Sequence, residues 1–151
     1  MGDMYTVVGK MTGTPTVPAT IALIVAGATK RVWLHELHIG SHNASALAGA
    51  RVSLGRPTTS GTGGAAYTPT PIDSAAPAAI FTALSSSTVW SAEPTQPANY
   101  IWEEGLNAVA SYVYVPKAPI PVAVSTRLAV RVEVDNSGTK VQWTCTMVIE
   151  E

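Results

Sequence analysis

Toward its C-terminal end the chain alternates apolar and polar residues with a period of two over two consecutive stretches. A β-strand with one dry and one wet face produces that pattern, and a helix does not. Leu128, Val130, Val132 and Val134 alternate with Arg127, Ala129, Arg131 and Glu133. Val141, Trp143, Cys145, Met147 and Ile149 then alternate with Gln142, Thr144 and Thr146. With the turn-forming residues Asn136-Ser137-Gly138-Thr139 between them, Arg127–Asp135 and Lys140–Glu150 are predicted to flank a hairpin turn.

The same period recurs upstream, whereas no window of about a dozen residues keeps the i, i+3, i+4, i+7 spacing free of Gly or Pro. Strands are predicted at Met4–Met11, Val17–Val25 (after the Gly13-Thr14-Pro15 break), Arg31–Ile39, Gly49–Leu54, Ile80–Leu84, Tyr100–Glu103 and Ala110–Val115. Another runs over Pro121–Asp135, bent near Ser125. In the third, Trp33, His35, Leu37 and Ile39 are expected on one face and Val32, Leu34, Glu36 and His38 on the other. A chain of 151 residues, 46% hydrophobic, with 12 glycines and 11 prolines, suits short strands and many turns around one core. The expected fold is a single all-β domain over residues 1–151, a β-sandwich of seven to nine strands, jelly-roll-like, with an immunoglobulin-like sandwich as second choice.

One stretch breaks the pattern. From Gly55 to about Ala79 nearly every position is Gly, Pro, Thr, Ser or Ala, with Tyr67 and Ile72 the large apolar exceptions. Irregular loops of this length inside compact domains tend to be functional, so this segment is the expected place of binding. Met1–Met11 is a second candidate, since a terminal strand can add to a neighbour's sheet edge.

Candidate chemistry reduces to bland readings. Charged residues make only 13% of the chain and the net charge is −1, which gives no basic field for nucleic acid. The single cysteine, Cys145, excludes an intrachain disulfide and reads as a small buried hydrophobe. Ile21–Ala28 is eight residues long and interrupted by Gly27, far short of the roughly 18–20 needed to span a bilayer, so a soluble protein without a membrane partner is expected. The first residues contain no basic region followed by an apolar run, so no secretory leader is expected. Met1-Gly2-Asp3-Met4-Tyr5-Thr6 fits the loose myristoylation pattern, but Asp3 is acidic and no polybasic second anchor follows.

His35, His38 and His42 lie close in sequence. One residue too few separates Glu36 from His38 for a zincin motif, and His35 and His38 point to opposite faces of a strand, so local structural roles are expected and no metal. Gly61-Thr62-Gly63-Gly64-Ala65-Ala66 has the letters of a dinucleotide fingerprint, but Tyr67-Thr68-Pro69-Thr70-Pro71 cannot continue as the required helix, and no cofactor is expected. A flexible turn accounts better for these glycines. Glu103 and Glu104 would face opposite ways in a strand, so they cannot flank one sugar ring without help from Asp73, Glu93 or Asp135. Trp33 and Trp143 read as core, while Trp90, Trp102, Tyr67 and Tyr100 lie nearer loops. Asn43-Ala44-Ser45 matches a glycosylation acceptor, which has little meaning without secretion.

At Leu54-Gly55-Arg56-Pro57-Thr58-Thr59-Ser60-Gly61-Thr62, followed by Thr68-Pro69, Asp73 and Pro77-Ala78-Ala79, the sequence resembles small structural proteins of tailed bacteriophages. The likeness covers about Arg51–Ala83 and, more loosely, the Val-rich end that closes with Glu150-Glu151. It departs from the pattern over Asn99–Tyr114, where Tyr100-Ile101-Trp102 replaces an expected Arg/Trp-rich strand. The resemblance implies a capsid decoration (cement) protein, made in the bacterial host cytoplasm and bound as a trimer to the outer surface of the shell. Its partners would be further copies of itself and a major capsid protein, with no catalytic residues. The candidate interface residues are Tyr5, Arg56, Thr62, Tyr67, Pro69, Ile72, Trp90 and Trp102. A tail- or fibre-associated module binding host glycans is the alternative, and a glycoside hydrolase the weaker one.

Overall fold

The computed structural model describes residues 2–12, 18–42, 49–85, 90–107, 110–135 and 142–151. The Gly13-Thr14-Pro15 break, the Asn43-Ala44-Ser45 pattern and the Asn136–Thr139 turn lie outside the described residues. Twelve strands are present: β1 (Met4–Thr12), β2 (Ala19–Val25), β3 (Val32–His42), β4 (Gly49–Gly55), β5 (Ala65–Tyr67) and β6 (Thr70–Pro71) come first. They are followed by β7 (Thr82–Ser85), β8 (Trp102–Asn107), β9 (Tyr112–Tyr114), β10 (Ile120–Val122), β11 (Arg127–Asp135) and β12 (Gln142–Glu150). No helix is present among the described residues. The count exceeds the expected seven to nine because β5 and β6 arise where a loop was predicted and because the Pro121–Asp135 stretch divides.

Two six-stranded sheets, antiparallel throughout, form a sandwich. The first runs β10-β3-β12-β1-β6, with β9 also paired to β3, and the second runs β5-β7-β2-β11-β4-β8. The register follows one rule. Met4 faces Glu150, Val25 faces Arg127, Val32 faces Val122 and Gly49 faces Asn107, so successive strand pairs nest like the arms of one long hairpin rolled up on itself. Segment 56–101 occupies the tip of that hairpin, and its β5, β6 and β7 extend the two sheets at their edges.

This wiring corrects the predicted C-terminal hairpin. Both strands form, but β11 lies between β2 and β4 in the second sheet and β12 between β1 and β3 in the first. Period-two alternation reports which face of a strand is dry and says nothing about its neighbour. Two dry faces that meet across a core satisfy it as well as two that share a sheet.

The segment expected to be irregular, from Gly55 to about Ala79, contains two short strands. Ala65–Tyr67 pairs with β7 at one edge of the second sheet, and Tyr5 and Thr6 of β1 pair with Pro71 and Thr70 at one edge of the first. Residues 65–71 therefore close one flank of the sandwich, and the resulting edges are two and three residues long, too short to template further pairing.

Between the sheets lie Tyr5, Val7 and Met11 of β1, Trp143, Cys145, Met147 and Ile149 of β12, and Leu128, Val130 and Val132 of β11, all buried. Each such side chain contributes about 1.5–3 kcal/mol by leaving water. At Gly9 the two sheets approach closely, since a Cβ there would lie 2.5 Å from that of Ala22 on β2 and 3.0 Å from Cys145 Sγ on the neighbouring strand β12. Strand β3 carries a bulge: Val148 faces Glu36 and Ile149 faces Leu34, leaving His35 without an opposite number. The extra residue resets the alternation, so Val32 and Leu34 share the core with Leu37 and Ile39. The predicted assignment of these residues to opposite faces fails for that reason, and Trp33 is half-exposed instead of core.

A second, smaller apolar cluster sits on the outer face of the second sheet, where Trp90 covers Leu23 and Ala129. The bend expected near Ser125 is a full break, with Ser125 at φ 58° and the Thr126 N–H donating to Ala123 O at 3.0 Å.

Candidate functional site

The residues singled out from sequence separate into core and surface. Tyr5 is fully buried, its hydroxyl donates to Pro77 O at 3.0 Å, and its ring meets Phe81 edge-on at 5.6 Å. Trp90 is 4% exposed, and its indole N–H donates to Thr20 O at 2.8 Å. Neither side chain has surface to offer a partner, which removes both from the candidate interface; a bulky aromatic beside a turn reads alike in sequence whether it lies over its own sheet or in solvent. Tyr67 and Pro69 are half-buried, with Tyr67 against the main core. Thr62 is exposed, and its hydroxyl and that of Ser91 lie 2.9 Å apart. Ile72 is 59% exposed.

The glycines of the fingerprint-like stretch have local work. Gly61 and Gly63 take φ of 66° and 88°, which side-chain-bearing residues resist, and Gly64 lies flat under the Trp90 indole. The Thr62 N–H donates to Ala92 O at 2.8 Å, so these residues dock the cover segment 90–95 instead of cradling phosphate.

Trp102 is half-buried and stacks on both Tyr112 (5.6 Å, 21°) and Tyr114 (5.0 Å, 23°). Because β8 ends one sheet and β9 borders the other, this stack clasps the two sheets along the flank opposite residues 65–71. Ile101, Val113 and Val115, neighbours of the stacked rings in sequence, are exposed.

Several acidic groups are engaged within the fold. Glu103 pairs with Arg51 at 2.8 Å, and Asp73 accepts from the Ala75 N–H at 2.9 Å in its own turn. Glu103 and Glu104 occupy opposite faces of β8. On the outer face of the second sheet, buried Glu133 accepts from the Ser53 hydroxyl at 2.5 Å and lies 3.7 Å from Arg131 Nε. Beside it Glu93 accepts from the Thr20 N–H at 2.9 Å. Burial raises the Glu93 pKa, and it also raises that of the Tyr100 hydroxyl with help from the Glu133 charge. Sequence reasoning missed this cluster because Arg131 and Glu133 look like any wet-face pair; the proximity of β11 to segment 90–101 has no local signal.

His35 Nε2 lies 2.7 Å from Glu150 Oε2, and His38 Nε2 lies 3.1 Å from Glu36 Oε2. Among the described residues no group of three His, Cys, Asp or Glu side chains could hold a metal ion. Burial pushes the Cys145 thiol up to about 12, far from a reactive thiolate.

At one end of the sandwich a cleft of about 640 Å³ is lined by Arg31, Arg56, Pro57, Thr58, Pro121, Ala123, Thr126 and Arg127. Register brings these together: Val122 faces Val32, Val25 faces Arg127 and Gly55 faces Ala129, so the ends of five strands, β3 and β10 of the first sheet and β2, β4 and β11 of the second, lie at this end. No family model, curated protein or solved structure matches this chain.

Proposed function

We propose that this chain is a non-enzymatic structural protein of a tailed-phage virion, a capsid decoration protein that binds the outer shell as a trimer. The observation that carries the reading is the nested strand order. We read it as jelly-roll-like, with successive strand pairs crossing between two sheets, and jelly rolls are widely used for shell-forming and surface-binding domains. Fold alone names no function. The sequence likeness over Arg51–Ala83 adds the phage context, and the use of Glu93, Glu103, Glu133 and Asp73 inside the fold leaves surface contact as the chemistry at hand. Exposed Ile72, Ile101, Val113 and Val115 are among the apolar side chains available for burial against neighbouring copies or the shell.

The test uses capsids of the encoding phage prepared without this protein. Purified protein added back should sediment with them at a saturating copy number and raise their resistance to heat or chelation. Shells that bind none, or that bind it without gaining resistance, refute the proposal.

A second reading, a module that binds host glycans, draws on the half-exposed Trp102 stack, because sugar rings lie well on aromatic faces. Glycan-array signal lost in Trp102→Ala would favour it over the shell.

A further inference from the structure

The cleft at the end of the sandwich concentrates positive charge to a degree that the composition does not. The whole chain has 9 lysines and arginines, and Arg31, Arg56 and Arg127 converge on this one cleft. None of its lining residues is acidic, and none of the three arginines belongs to an ion pair among the described residues.

Two of the guanidinium groups are held in place by neutral acceptors. Arg56 Nη2 donates to Pro121 O at 2.7 Å. Arg127 donates through Nε to Ser60 Oγ at 2.7 Å and through Nη1 to Thr58 O at 3.2 Å. These bonds fix the groups without neutralising them.

The acids beyond Arg31 are already engaged. Glu151 pairs with Lys30 at 3.5 Å and accepts from the Ile80 N–H at 2.8 Å. Glu150 accepts from the Gly2 N–H at 2.7 Å and meets His35. Gathering three like charges costs free energy that a bound anion returns, and a guanidinium presents a fork of donors matched to carboxylate and phosphate oxygens. Pro57, Pro121 and Ala123 add apolar surface to the lining, and the volume lies within the range of small-ligand sites.

We infer that this cleft is a binding site for a polyvalent oxyanion, carried on phosphate or carboxylate groups and gripped by Arg31, Arg56 and Arg127. The inference stands on the cleft alone and does not depend on the shell reading. Arg31 makes no hydrogen bond within the described fold, so Arg31→Gln removes a ligand contact while leaving the framework intact. Arg51→Gln, in the Arg51–Glu103 pair on the outer face of the second sheet, is the control for lost charge.

The experiment is isothermal titration calorimetry of the full chain at low ionic strength, with pyrophosphate and citrate as probes. One saturable site is expected for at least one probe. Arg31→Gln should weaken it about tenfold or more, and Arg51→Gln should leave it unchanged. Binding of pyrophosphate alone assigns a phosphate-bearing ligand, binding of citrate alone a carboxylate-bearing one, and binding of both a site selective for charge. Saturation by neither probe, or equal weakening in Arg31→Gln and Arg51→Gln, overturns the inference.

Discussion

Glu93 pays an electrostatic cost for holding the Thr20 backbone. Burial raises its pKa more than the Thr20 bonds and the Arg131 charge lower it, and the Glu133 charge adds to the rise. A carboxyl with a raised pKa in the folded state destabilises the fold once ionised, and that cost disappears as pH falls through the folded pKa toward the ordinary carboxylate value near 4.3. Glu93→Gln keeps an acceptor for Thr20 and carries no charge. Chemical denaturation at pH 7 should find it as stable as the parent or more so, with the difference closing on acidification; a variant clearly weaker at pH 7 would mean that the ionised form is needed. Ser125 is a second such residue. Its φ of 58° costs an L-residue roughly 1–2 kcal/mol, against roughly 0.5–1 kcal/mol of extra unfolded-state freedom for glycine. Ser125→Gly should therefore stabilise by about 0.5–1 kcal/mol in thermal or denaturant unfolding.

At the scale of elements, the strands themselves were legible because alternation is written locally: β1, β2, β3, β4 and β12 form within a few residues of their predicted bounds. Their partners were not. Leu128–Val132 and Trp143–Ile149 have dry faces that fit one sheet or two, and only the long-range register decides. The bulge at His35 shows no signal in sequence, because one inserted residue looks like ordinary alternation until the opposing strand is known. Of the candidate site residues, Arg56 lines the cleft, while its companions Arg31 and Arg127 were read only as strand starts. The tight approach at Gly9 gives a contrast between two strand glycines. Gly9→Ala should cost about 1–3 kcal/mol through overpacking against Ala22, whereas Gly105→Ala, with nothing within 4 Å of the added carbon, should be neutral or slightly stabilising. Equal effects at the two positions in urea unfolding would contradict the packing described between β1 and β2.

For the whole molecule, the nested register joins the two ends of the chain. The β1–β12 pairing and the Gly2 N–H to Glu150 bond close over nearly the full sequence, so folding must meet the entropy of long loops before their contacts stabilise it. Refolding followed by fluorescence of buried Trp143 and Trp90 should be slow, on the order of milliseconds to seconds, and microsecond refolding would be inconsistent with this topology. The same closure leaves a flank of exposed apolar side chains and an arginine-lined end. The proposed role is tested most directly by electron cryomicroscopy of virions made with and without the protein. The account predicts sandwich-shaped density repeated at symmetric positions on the outer shell, in threefold groups, that vanishes in particles lacking it. Density confined to the tail, or none that differs between the two particles, would contradict it.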